Sequence, residues 1–96
     1  MKILNSHQVV EETIVEEKTT EQLPGRVVLY NDDWHTFDEV ISQLMKAVRC
    51  TMHEARNFAF EVHFKGKAIV FSGGLIECLK VSSVLEEIAL HTQIVT

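Results

Sequence analysis

"YNDDWHTFDEVI", residues 30–41, is where an alternating pattern gives way to a helical one, and the fold follows from that switch. Before it, "RVVLYN" (26–31) is dense in β-branched and aromatic residues and reads as a strand. After it, Thr36 and Glu39 form a T-x-x-E capping box, in which hydroxyl and carboxylate satisfy each other's free amides at a helix start. Phe37, Val40, Ile41, Leu44, Met45 and Val48 then recur at helical spacing and give one apolar face. The signal repeats at Thr51 and Glu54, followed by Met52, Ala55, Phe58, Ala59 and Val62. Two helices so close in sequence form a hairpin. Lys65-Gly66 reads as a turn, "KAIVFS" (67–72) as a second strand ended by Gly73-Gly74, and "TQIVT" (92–96) as a last short strand. Between these strands, Leu75, Cys78, Leu79, Val81, Ser82, Leu85 and Ile88 predict the inward face of a third helix. The order is β-α-α-β-α-β, an α+β domain whose three-stranded antiparallel sheet needs helices to cover it.

The chain has 96 residues, enough for one domain. A net charge of −5 with no basic cluster argues against nucleic acid. No apolar run approaches the roughly 20 residues a membrane helix needs. "MKILNSHQVVEE" lacks a signal-peptide core, so a cytoplasmic location is expected. Cys50 and Cys78 lack metal or redox spacing and read as reduced core residues. Residues 1–24 carry five glutamates against two lysines and no aromatic residue, and Pro24-Gly25 punctuates their end. They read as a flexible acidic tail, with a short strand as the alternative, and residues 25–96 as the folded domain.

Few residues could carry chemistry. Asn31, Asp32 and Asp33 end the first strand, His35 comes just after, and His63 ends the second helix. Asn-Asp-Asp can be an Asx-turn leading into the helix cap. His63 can be a C-terminal histidine facing the helix dipole. A metal site or metal-dependent enzyme built from Asp32, Asp33, His35 and His63 is a rival of a different class. No Ser-His-Asp order, phosphate loop or zinc helix motif is present.

In combination, "VVLYNDD", the amphipathic helix after it, "EVHFKGKA" (61–68) and "KVSSVLEEIA" (80–89) resemble the ClpS family. The resemblance covers about residues 26–96. It implies a non-enzymatic adaptor, without cofactor, that presents N-end rule substrates to the N-terminal domain of a Clp AAA+ unfoldase. It also answers why three polar residues stand in a row. An α-ammonium has three donors and a positive charge, and Asn31, Asp32 and neutral His63 are the implied acceptors. An internal amide would leave them unpaired, and capture of a free terminus is a known mode of peptide recognition. The implied pocket for a first Leu, Phe, Tyr or Trp side chain includes Asp33, His35, Phe37, Ala59, Val62 and, as the last apolar wall, Ile94. Lys80 and the nearby Glu77 are the implied docking residues, and the tail is expected to contact the unfoldase during transfer. His35, Phe37 and Ala59 replace a threonine and two methionines common in the family.

Overall fold

The structure, a computed structural model, describes residues 23–96. The element order is β1 (Pro24–Tyr30), α1 (Phe37–Val48), α2 (Met52–Lys65), β2 (Lys67–Gly74), α3 (Leu75–Glu86) and β3 (Thr92–Val95). The strands form one antiparallel sheet in the order β2-β1-β3. Of the tail expected over residues 1–24, residues 1–22 lie outside the described residues, and Pro24 belongs to β1.

Strand ends were the least legible feature. Pro24 pairs with Gly74 and Gly25 with Gly73, so the di-glycine continues β2 instead of closing it. Proline is tolerated because it is the first residue of its strand. Gly25 packs closely against α3: a Cβ there would sit 3.1 Å from the Cys78 Sγ, so a larger residue would have to displace that side chain by a few tenths of an ångström.

Both capping boxes form. The Thr36 and Thr51 hydroxyls each accept from the backbone amide three residues on, 3.1 Å away in both cases, and Glu39 and Glu54 return the bond. A cap of this kind contributes about 1 kcal/mol. Arg49 closes α1 in the left-handed conformation, and Gly66, at φ 86°, closes α2.

Val27, Leu29, Ala68 and Val70 turn one sheet face toward the helices, where Leu44, Ala55, Val62, Cys78, Val81 and Leu85 complete the core. Cys50 and Cys78 are free thiols, half-buried and buried respectively. Gln43, itself buried, donates through Nε2 to the Val84 carbonyl at 2.5 Å, and Lys46 pairs with Glu87 at 2.7 Å, which fastens α1 across α3. Two pattern readings fail: Leu79 and Met52 are 52% and 56% exposed. Ile88 packs against the core as expected, but from the turn past the end of α3. In α3 the buried set Cys78, Val81, Ser82 and Leu85 already fills the face toward the sheet, and Leu79 points away from it.

Candidate functional site

The sheet register builds the site. Tyr30 pairs with Lys67, and the next amide, Asn31 N–H, donates to the Gly66 carbonyl at 2.9 Å. Gly66 in turn caps α2, its N–H donating to the Val62 carbonyl at 2.9 Å. The end of β1 is thereby stitched to the last turn of α2, which brings Asn31 and Asp32 to the same cleft as His63. The start of α1 closes the third side.

The cleft has a volume of about 310 Å³. Its polar rim is Asn31, Asp32, Asp33, His35 and His63, and Phe37, Val40, Ala59 and Val62 supply apolar walls. That volume is at the small end for ligand sites and fits one side chain better than a cofactor. A larger groove of about 490 Å³ lies at the other end of the sheet, around Pro24, Gly73 and Thr96, and offers no carboxylate or imidazole side chain. The convergence of acceptors singles out the smaller one.

Asp32 does more than end a strand. Its Oδ1 accepts the backbone amides of Trp34 at 3.1 Å and His35 at 2.9 Å, so the Asx-turn is real. Its Oδ2 faces His35 Nδ1 at 2.6 Å. A carboxylate accepts about four hydrogen bonds, so the turn role leaves room for an incoming donor. Both side chains are nearly buried, 10% exposed for His35 and 12% for Asp32. Burial alone raises the Asp32 carboxyl. The His35 amide, the His35 ring and the Trp34 amide together overcome it and hold the group below its ordinary 3.8. The hydrogen bond to Asp32 raises His35 above its ordinary 6.5 against its burial, aided by the Ile88 carbonyl and the charges of Asp32 and Glu39.

These two shifts set a pH window for stability. A depressed carboxyl stabilises the fold above its unfolded value and loses that contribution as pH falls through its lower folded value. A raised imidazole stabilises below 6.5 and loses its contribution as pH rises through its higher folded value. Thermal denaturation from pH 3 to 9 should show a stability difference between the wild type and His35→Gln that is largest between about pH 4 and 6.5 and shrinks on both sides. A difference that grows steadily toward pH 9 would contradict the pairing.

The other implied site residues divide between the cleft and the rest of the surface. Phe37 leans on His63, ring centroids 5.3 Å apart, and on Phe60 at 5.2 Å. Ala59 and Val62 are buried beneath the rim. Ile94 is not part of this cleft, which corrects its assignment. The β1–β3 register sets it opposite Val27, and it packs near Gly25 on the core side of the sheet. Leu90, 4% exposed, stands beneath the cleft instead, beside a small void shared with Leu29, Val40 and Val62. Lys80 and Glu77 are both exposed on α3, 3.6 Å apart. The metal reading needs several ligands to converge. Among the described residues no group of three or more His, Cys, Asp or Glu is placed to hold an ion, and Asp32 and His35 are bound to each other.

Sequence reasoning passed over Thr36, Val40 and Leu90 as cleft residues. It also passed over an exposed aromatic row beside the cleft, in which Phe60 stacks on Phe64 at 5.9 Å and His63 meets Phe64 edge-on at 5.1 Å. Phe60 and Phe64 recur at i, i+4, a spacing that is readable in the sequence once α2 is accepted as a helix.

The profile of the family described as ATP-dependent Clp protease adaptor protein ClpS matches residues 20–93. The chain is 38% identical over 55 residues to the ClpS adapter of Lawsonia intracellularis, covering 57% of this chain and 50% of the adapter. It is also 36% identical over 70 residues to the E3 ubiquitin-protein ligase UBR1 of Drosophila melanogaster, and this covers 72% of this chain but 4% of the ligase. The human ligase UBR2 is 41% identical over 58 residues, 60% of this chain and 3% of its own length. The chain thus spans a few per cent of the ligases and about half of the adapter. Among solved structures, ClpS2 of Agrobacterium tumefaciens bound to L-phenylalaninamide superposes with a TM-score of 0.69 at 20% identity, covering 77% of this chain and 96% of that one, a likeness of fold. With most of the described domain inside the matched segment, the chain belongs to the ClpS family of Clp protease adaptors.

Proposed function

We propose that this chain captures proteins by a free N-terminus, holding the α-ammonium with Asn31, Asp32 and His63 and the first side chain, Leu, Phe, Tyr or Trp, in the cleft walled by Phe37, Val40, Ala59 and Val62. The observation that carries this reading is the meeting of three acceptor side chains, one of them anionic, at the mouth of an apolar cleft of about 310 Å³. The ammonium supplies three donors and the opposite charge, and charge-assisted hydrogen bonds of this type contribute about 1.5–3 kcal/mol each when shielded from water. A similarly folded ClpS2 has been solved with L-phenylalaninamide, a free amine next to a large apolar side chain, and this supports the same class of ligand here. The chain performs no chemistry on its ligand in this reading. It delivers the captured protein to a Clp AAA+ unfoldase, with Glu77 and Lys80 of α3 as docking residues and the N-terminal segment engaged during transfer.

A second destination is favoured by one observation. The Drosophila and human relatives are E3 ubiquitin-protein ligases that match this chain over only 3–4% of their length. The shared segment is then a recognition module used ahead of more than one destructive machine.

Titration with peptides that differ only in their first residue tests the pocket. Phe- and Leu-initiated peptides should bind at least about tenfold more tightly than a Ser-initiated one, because burying a large apolar side chain contributes about 1.5–3 kcal/mol. Equal affinity for all three would remove the cleft from the account.

A further inference from the structure

Both ring nitrogens of His35 face acceptors. Nδ1 lies 2.6 Å from Asp32 Oδ2, and Nε2 lies 2.5 Å from the Ile88 carbonyl oxygen. A neutral imidazole has one N–H and one lone pair, so either tautomer would press a lone pair against an oxygen at close range. Only the imidazolium donates to both. The ring is also nearly out of solvent, so water cannot relieve the mismatch.

The far end of this bridge is a constrained turn. Ala89, directly after Ile88, has φ 61°, the left-handed region that an alanine adopts only when its surroundings compel it. Its amide donates to the Glu86 carbonyl at 2.9 Å, and the next amide, Leu90, to the Leu85 carbonyl at 3.3 Å. The turn ends α3 and drops Leu90 into the space beneath the cleft, against Leu29, Val40 and Val62. One side chain therefore ties the cleft's carboxylate to the turn that sets its floor.

We infer that His35 is a positioning residue held as an imidazolium, a charged bridge that fixes the Asp32 carboxylate for the incoming α-ammonium and clamps the Ile88–Leu90 turn that shapes the bottom of the pocket. The role in binding rests on the function proposed above, whereas the bridge itself stands on geometry alone. The charged groups around the ring are Asp32 on its own loop and Glu39 on α1, with the Ile88 carbonyl beyond α3; Asp33 and His63 share the cleft. Losing the proton breaks one of the two bonds. The Asp32 bond is kept, because a carboxylate is the stronger acceptor, and the Ile88 turn is released. A bound ammonium places a second cation beside the same carboxylate, and the pocket it uses rests on the turn that the proton clamps, so ligand binding and proton binding are coupled and reciprocity makes each change the affinity for the other.

The test is an NMR titration of the full chain. In the long-range imidazole spectrum of the wild type at pH 7, His35 should show both ring nitrogens protonated. As pH rises, the Ala89 and Leu90 amide signals should move with the same midpoint as the His35 ring, and in His35→Gln they should stay flat. A single neutral tautomer at pH 7, or Ala89 and Leu90 signals indifferent to the His35 titration, would overturn the bridge without needing any variant to fold. His35→Gln should bind a Phe-initiated peptide on the order of tenfold more weakly at pH 7, since one charged hydrogen bond is lost. Unchanged affinity would overturn the positioning role. Saturating the wild type with the peptide should shift the His35 midpoint. If the peptide binds and the midpoint does not move, the ammonium lies elsewhere; that result overturns the proposed ammonium site and the positioning role and leaves the bridge standing.

Discussion

Asp32→Ala should weaken binding of a Phe-initiated peptide by about 2–3 kcal/mol, roughly 30- to 150-fold, the cost of removing the anionic member of a charge-assisted cluster. It should also lower stability, because Asp32 Oδ1 holds the amides of Trp34 and His35 and its Oδ2 holds the His35 ring. The alanine variant therefore mixes two effects. Asp32→Asn separates them. Its amide oxygen can still accept the Trp34 and His35 amides and keep the turn, while the charge is gone. At pH 8, where the His35 charge contributes least, the asparagine variant should melt closer to wild type than the alanine variant does, and still bind the peptide at least about tenfold more weakly. Calorimetric titration and thermal denaturation of both variants check this. Wild-type affinity in Asp32→Asn would mean that the negative charge is not what the ligand meets.

The second large effect lies in the core. Leu85→Ala should cost about 2–5 kcal/mol, whereas Leu79→Ala on the same helix should stay within about 0.5 kcal/mol. Leu85 is fully buried and cannot be replaced without leaving a cavity; Leu79 is 52% exposed and loses little. Urea denaturation of the two variants measures the contrast. For a domain of this size, the first loss is a large share of the roughly 5–15 kcal/mol that typical domains possess.

That pair also shows where sequence reading stops. Periodicity groups residues onto a helix face but does not say how wide a face the sheet covers. On α3 the apolar residues spread too broadly for one stripe, and both Leu79 and Leu85 read as inward. The helix starts were legible because capping boxes are local, with each Thr and Glu satisfying the other within one turn. Strand ends were not, because the pairing of Gly73 and Gly74 with Gly25 and Pro24 depends on a partner some fifty residues away in sequence.

The cleft shows the same division. Asn31, Asp32 and His63 are readable as candidates because each sits at the end of an element, and the sheet register then draws those ends together. The pocket floor is not readable in this way. Ile94 has the right chemistry and the wrong register, while Leu90 reaches the floor through a left-handed residue, Ala89, that no propensity would suggest. His35 shows a third case. Its position beside Asp32 is visible in the sequence, but its second partner is a backbone carbonyl, which every residue carries and no sequence pattern marks.

The central claim is that the site reads a free α-amino group. The direct measurement is the affinity of one Phe-initiated peptide against its Nα-acetylated twin, at pH 7 and moderate salt. Acetylation removes the charge and two of the three donors and leaves the phenylalanine side chain untouched. The expected result is a loss of at least about 3 kcal/mol, more than a hundredfold, because two charge-assisted bonds vanish and Asp32 is left facing a neutral amide. Equal binding of the two peptides would contradict it and leave the cleft as a pocket for an apolar side chain alone.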